Sequence, residues 1–171
     1  MKKLALLILP VFLFAFTITD LKPVDTTDAV TFTIKNFGIP TKGNFKGLQG
    51  NIKWDKDNPA TAVFDMSIDV KTVNTGIDSR DGHLRGEEYF NVEKFPLIRF
   101  KSTAVTSSNI TGTLTIKGIT KTISFPYTSV ASGKGYLFQG SFSISRKDYG
   151  IGGTTLTLSD EAIITLKVQA N

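Results

Sequence analysis

The ten residues "TAVFDMSIDV", Thr61 to Val70, alternate with a period of two. Ala62, Phe64, Met66, Ile68 and Val70 share one face, and Thr61, Asp65, Ser67 and Asp69 occupy most of the other. A strand whose successive side chains point to opposite faces has this pattern when one face is buried and the other is wet.

The alternation spreads in both directions. Upstream, "AVTFTIKN" aligns Val30, Phe32 and Ile34, and "GLQGNIKWD" aligns Leu48, Gly50, Ile52 and Trp54. Downstream, "LIRFKSTAV" aligns Ile98, Phe100, Ser102 and Ala104, and "NITGTLTIKG" aligns Ile110, Gly112, Leu114 and Ile116. "ITKTISFPY", "GYLFQGSFSI" and "EAIITLKVQA" continue it, with Phe125, Phe138, Phe142, Ile164 and Leu166 on apolar faces. Turn signals separate the segments at 56–59, 107–109, Lys117-Gly118 and 132–135. The expectation is seven or eight antiparallel strands in one domain, forming a sandwich or a closed barrel; the pattern alone does not choose. Closure removes exposed edges. On the apolar face large rings alternate with Gly50, Gly112, Gly140, Ala104 and Ser102. Either these leave a lumen with room for a ligand, or large and small residues fill each other's space.

The alternation stops at "GIDSRDGHLRGEEYFNVEKFP", Gly76 to Pro96, which holds the only histidine, His83. Asp78 or Ser79 is suited to cap a short helix running through Leu84, and Pro96 starts the next strand. Such an insert must lie over a barrel end or side. Leu84, Tyr89, Phe90 and Phe95 are expected to face the mouth, with Arg85, Glu87 and Lys94 in water.

The chain begins "MKKLALLILPVFLFAFTITD". Two lysines followed by an apolar run from Leu4 to about Ile18 read as a secretory signal over residues 1–19, ahead of a single domain at 20–171. The run is short for a membrane span of about 20 residues, and an uncleaved anchor is the alternative. There is no cysteine, so an exported fold must hold by burial alone. The expected location is periplasmic or secreted. The formal charge is +5; without Lys2 and Lys3 the 20 basic residues fall to 18 against 15 acidic, a net of +3. Those residues are scattered, which argues against nucleic-acid binding.

"SIDVKTVNTGIDSRDGHLRGEEYFNVEKFPLIRFKS" resembles the central motif of the YceI-like, polyisoprenoid-binding family, through Ser67-Ile68-Asp69, Arg80-Asp81, His83-Leu84, Tyr89-Phe90-Asn91 and the Phe95 to Ser102 run. "GTLTIKGITK" from Gly112, "FSISRKDYGIGG" and "LSDEAIITLKVQA" resemble its later elements, so the likeness runs from about Val30 to Ala170. Gly82 and Gly86 depart from it, standing where a helix would prefer other residues. The resemblance implies an eight-stranded, lipocalin-like antiparallel barrel with the helical insert over one end. It implies a lumen holding a long isoprenoid chain and makes a homodimer plausible. An isoprenoid lipid or quinone is then the expected ligand, with no other cofactor and no membrane span after signal removal.

Expected lumen residues are Phe32, Ile34, Trp54, Phe64, Met66, Ile68, Phe100, Leu114, Ile116, Phe138 and Phe142; expected mouth residues are Arg80, His83, Leu84, Phe90 and Arg146. His83, with Arg80 or Arg146, would meet a quinone carbonyl or a phosphate. The plainer alternative is a half-buried histidine bonded to the backbone, pinning the insert, and it is the one favoured. Arg80 and Asp81 are more simply a buried structural pair; for Arg146 a turn arginine beside a left-handed Gly150 stands level with the ligand-binding reading. One histidine without cysteine does not make a usual zinc site. A lipid-modifying enzyme using His83, Asp81 and Ser79 or Ser102 lacks a G-x-S-x-G turn, and the expectation is no catalysis. The remaining alternative is a ligand-free barrel that binds a partner protein.

Overall fold

Strand β3, Ile39–Trp54, is sixteen residues long and serves two neighbours on one edge. Its first half pairs with β2 (Val30–Asn36), and its last residues pair with β1 (Thr19–Leu21). The computed structural model describes residues 18–171; the apolar run read as a secretory signal lies outside the described residues except at its end. Beyond β1, Lys22 and Val24 donate to Asn171 O and Gln169 O at 2.8 Å. The segment 19–24 thus takes the place that β2 leaves free between β3 and the last strand.

On its other edge β3 pairs with β4 (Val63–Asn74). The sheet continues through β5 (Leu97–Val105), β6 (Asn109–Ile116), β7 (Ile119–Ser132), β8 (Gly135–Ser145) and β9 (Leu158–Ala170), which returns to β2. Every pairing is antiparallel, and strands β2 to β9 form a closed eight-stranded ring with β1 as a short addition. The choice between sandwich and barrel is thereby decided. Two tight hairpins, Phe37-Gly38 and Lys117-Gly118, have both residues at positive φ (51° and 75°, 50° and 77°), as two-residue connections between right-twisted strands require. The second was predicted; the first carries no strong turn signal.

Register shifts in β3 against β4, between Asn44 and Lys46 and between Lys46 and Gln49, bend the strand. Gly47 sits there at φ 71°, and its N–H and that of Leu48 donate to the Asp25 carboxylate at 2.9 and 3.1 Å. At this end of the ring Trp54, Phe64, Tyr127, Tyr136 and Phe138 meet mostly edge to face; Trp54 and Phe64 lie 5.1 and 5.3 Å from Phe138. This cluster is the floor.

The other end carries the β2–β3 and β6–β7 hairpins, the 146–157 connection and the insert. The insert forms α1, Asp78–Arg85, which covers part of that end. Ile77, in extended backbone, precedes the helix, so neither Asp78 nor Ser79 caps it. Arg85 does not project into water as expected: its Nε and Nη2 donate to Lys71 O and Val73 O of β4 at 2.8 and 3.0 Å.

Two glycines give predictions of opposite sign. A Cβ on Gly112 would lie 2.4 Å from Lys101 O and 2.6 Å from the Phe100 ring, so Gly112→Ala is expected to lower stability by about 1–3 kcal/mol. A Cβ on Gly82, inside α1, meets nothing within 4 Å, so Gly82→Ala is expected to raise it by about 0.5–1 kcal/mol. Urea unfolding of both variants measures the difference.

Candidate functional site

Between floor and insert the ring holds two cavities. The deep one has a volume of about 150 Å³ and is walled by Phe64, Met66, Ile68, Phe100, Leu114, Phe138 and Phe142, among others. The outer one, about 520 Å³, opens past Phe32, Ile34, Leu84 and Phe90 to the mouth. Phe45, Ile98, Ile116, Ile144 and Ile164 line both and form a neck between them. Of the expected lumen residues, only Trp54 lines neither cavity. Strand parity turns it inward, but it lies in the floor behind Phe64 and Phe138, 3% exposed.

Of the glycines on the apolar face only Gly140 lines a cavity; the space beside the others is filled by their neighbours. Phe100 lies against Gly112, Phe125 against Gly140 and Phe32 against Gly43, and Gly50 abuts the Asp65 carbonyl. Large and small residues do fill each other's space, and a lumen still remains, within the range of an eight-stranded ring, whose interior can be filled by side chains or can hold one small ligand.

All five expected mouth residues border the outer cavity, but their chemistry differs from expectation. The Arg146 side chain is buried, and every N–H of its guanidinium faces an oxygen. Nε donates to Ser159 O (3.0 Å), Nη1 to Ile151 O and Gly153 O (both 2.9 Å), and Nη2 to Leu158 O (3.4 Å) and Asp160 Oδ1 (3.3 Å). It has no donor left for a head group; it holds the 151–160 segment in its curve. Beside it Gly150 takes the expected left-handed turn at φ 62°. Tyr149 is buried under that turn, and its phenol is pushed above the usual range by desolvation and then by the charge of Asp148.

Arg80 and Asp81 are linked through Thr75 rather than paired directly. Arg80 Nε donates to Thr75 Oγ1 at 2.7 Å and Nη2 to Thr75 O at 2.9 Å, while the Thr75 hydroxyl donates to Asp81 Oδ1. Asp81 also accepts from Thr75 N at 2.9 Å and is almost fully buried. Arg80 is half-buried, and among the described residues its Nη1 has no hydrogen-bond partner.

His83 is not half-buried, and among the described residues its imidazole has no hydrogen bond to backbone. It is exposed at the mouth, its ring 4.9 Å from that of Tyr89. The rest of the insert is sewn to its surroundings through Glu88, whose carbonyl accepts from Gly152 N at 2.9 Å and Lys117 Nζ at 3.0 Å. Lys117 Nζ also donates to Gly150 O at 2.8 Å, so three connections of this end are tied together.

Sequence reasoning overlooked Phe45 and the polar rim of Thr155 and Thr157. Phe45 was within reach had the β3 bend been recognised. Thr155 and Thr157 lie in a segment with no periodicity to read.

Known proteins share this fold. A family model described as the YceI-like domain matches residues 22–170. A UPF0312 protein of Pseudomonas aeruginosa is 32% identical over 151 residues, covering 82% of this chain and 79% of that protein. The crystal structure of Burkholderia cenocepacia BcnA superposes with a TM-score of 0.77 at 28% identity, over 81% of this chain and 93% of that one. A polyisoprenoid-binding domain from Saccharophagus degradans shares the fold at a TM-score of 0.65 and 14% identity, over 91% and 99% of the two chains.

The role of Arg146 separates cleanly by substitution. Arg146→Lys keeps the charge but cannot reproduce the planar fork, leaving buried carbonyls of the 151–159 segment unpaired. It is expected to cost about 2–4 kcal/mol in chemical unfolding. A head-group arginine would instead leave stability nearly unchanged.

Proposed function

The chain belongs to the YceI-like domain family, and from that premise we propose that it carries a long-chain isoprenoid lipid or quinone-like amphiphile in its lumen. The single observation that carries the reading is the pair of cavities meeting at a shared apolar neck. An apolar cavity of about 150 Å³ accepts a benzene-sized guest, so the deep chamber alone is too small for a long chain. With the outer chamber of about 520 Å³ in line, a chain can run from mouth to floor.

The energetics suit such a guest. Burying a chain of about twenty carbons yields roughly 16 kcal/mol gross at about 0.8 kcal/mol per CH₂. Association and ordering take back about 4–15 kcal/mol. Affinity then comes mainly from the chain, and the polar groups of the outer chamber orient the head. Thr75, Ser79, Arg80, His83, Thr155 and Thr157 stand there, and Arg80 brings a donor to spare.

A lipid-modifying enzyme is supported less well. His83 rests on Tyr89, and Asp81 is engaged by Thr75, so among the described residues no carboxylate orients the imidazole toward a serine. A partner-binding barrel with a packed interior is disfavoured by the space itself. The lysine-led apolar run at the N-terminus supports a periplasmic or secreted location. Among the described residues no helix is long and apolar enough to cross a membrane.

Protein made in bacteria, extracted with organic solvent and analysed by mass spectrometry, is expected to release a long-chain amphiphile in near-stoichiometric amount. Ile164→Trp, which fills the neck, should lower affinity for a long-chain quinone by roughly tenfold or more with the β circular-dichroism signal intact. Well-folded protein that yields no amphiphile and takes up no added quinone would sink the proposal.

A further inference from the structure

The mouth has an apolar lip that packing does not explain. Phe37 is 76% exposed, Ile39 68%, and Leu156 fully exposed. None of the three lines either cavity. Isolated exposed apolar residues are ordinary on a protein surface, but these come from two segments fastened side by side. Phe37 N donates to Thr157 O at 2.7 Å, and Asn36 is in register with Leu158. Phe37 also occupies a left-handed position, φ 51°, where a bulky side chain is disfavoured. Neither turn geometry nor the core accounts for an aromatic ring there.

We propose that this lip is a docking surface for an anionic lipid membrane; the inference rests on the carrier reading of the lumen, whose guest resides in membranes. An aromatic and two aliphatic side chains projecting from a rim suit the boundary between head groups and acyl chains. Lys35 and Lys42 flank the hairpin, exposed and without an ion pair among the described residues, and basic residues so placed are drawn to anionic head groups. On the β9 side, Asp160 is neutralised by Arg146 and Lys147, and the Glu88 carboxylate, which reaches the start of the lip segment, is engaged by Gly153 N at 3.3 Å. The insert, with exposed Asp78 and Glu87, forms the other border of the mouth and is held off an anionic surface. The barrel therefore touches the membrane by its β2–β3 and 154–157 lip, and the apolar lip runs directly into the outer chamber, whose wall includes Asn36, Thr155, Thr157 and Leu158.

The test uses flotation with phosphatidylcholine vesicles, with and without phosphatidylglycerol, for wild type, Phe37→Asp/Leu156→Asp and Lys35→Glu/Lys42→Glu. These side chains make no buried contact, so folding is expected to survive, and circular dichroism verifies it. Wild type should float with the anionic vesicles, less with neutral ones, and less as salt rises. The Asp pair should reduce partitioning by roughly tenfold or more, and the Glu pair should abolish the preference for anionic vesicles. In the Asp pair, uptake of a long-chain quinone from vesicles should slow by a similar factor, while affinity for detergent-dispersed quinone stays unchanged. Wild type that ignores anionic vesicles, or an Asp pair that floats as well as wild type, overturns the inference. So does loss of affinity for detergent-dispersed quinone in the Asp pair, which would make the lip part of the lumen. A wild-type dimer that turns monomeric in the Asp pair, with flotation unchanged, assigns the lip to a second copy and also overturns it. Protein that floats as expected but takes up quinone from neither source supports the docking surface and removes the carrier reading.

Discussion

Ring closure is the constraint on which the lumen, its floor and its mouth all depend. A sheet of eight strands leaves no open edge only if its first and last members meet, and β3 makes that possible by bending. Its register shifts against β4, the left-handed Gly47 and the Asp25 carboxylate bonded to two amides of the bend turn one strand through a corner. The first half then serves β2, and the far end takes β1. Once closed, the ring has a circumference set by strand number rather than by side-chain volume, and with rings seated against Gly112, Gly140 and Gly43 space is still left inside.

The two ends of that space are finished differently, and the difference sets a direction. The far end is sealed by aromatic rings in edge contact, with Tyr127 spending its hydroxyl on Thr106 O at 2.9 Å. The near end is held by polar bonds: Arg146 on the 151–160 segment, Glu88 and Lys117 across three connections, Arg85 on β4. Apolar packing at the floor gains by excluding every solvent molecule. Hydrogen-bonded connections at the mouth keep their shape while leaving a gap beside it. On the carrier reading proposed above, a guest enters by the mouth, tail first.

Much of this was legible from alternation. The strands built around Val30, Phe64, Phe100, Leu114, Phe138 and Ile164 lie where a period of two puts them, and the insert is where the period fails. What parity cannot report is height along the barrel: Trp54 points inward as Phe64 does, yet it falls below the cavity. Nor does parity survive a bulge. Counting back in steps of two from Leu48 turns Lys46 inward, whereas the structure buries Phe45 and exposes Lys46. Arg146 stayed ambiguous for a third reason. An arginine near a mouth reads as a ligand-binding group, but its partners are the carbonyls of Ile151, Gly153, Leu158 and Ser159, and carbonyls leave no trace in residue identity. Thr75, which bridges Arg80 and Asp81, is invisible for the same kind of reason: it acts by position rather than by type.

The contrast between the two mouth arginines bears on how a carrier of this form would choose its guest. Arg146 faces five oxygens and has its geometry dictated by the fold, so its charge is spent on the protein. Arg80 is fixed through Nε and Nη2 by Thr75 alone and borders the outer chamber beside Ser79 and His83. A donor already oriented by the fold adds a directional contact at little further entropic cost. One such donor beside a long apolar lumen has modest influence on total affinity, because each hydrogen bond nets about 1 kcal/mol while the chain contributes several times that. Its influence is on orientation: a head group able to accept from Arg80 stays at the mouth, and the tail is committed to the neck of Ile98, Ile116, Ile144 and Ile164. On this proposal chain shape is judged at the neck and head-group chemistry at the rim. Tolerance for varied head groups then follows from the same asymmetry that makes the tail decisive.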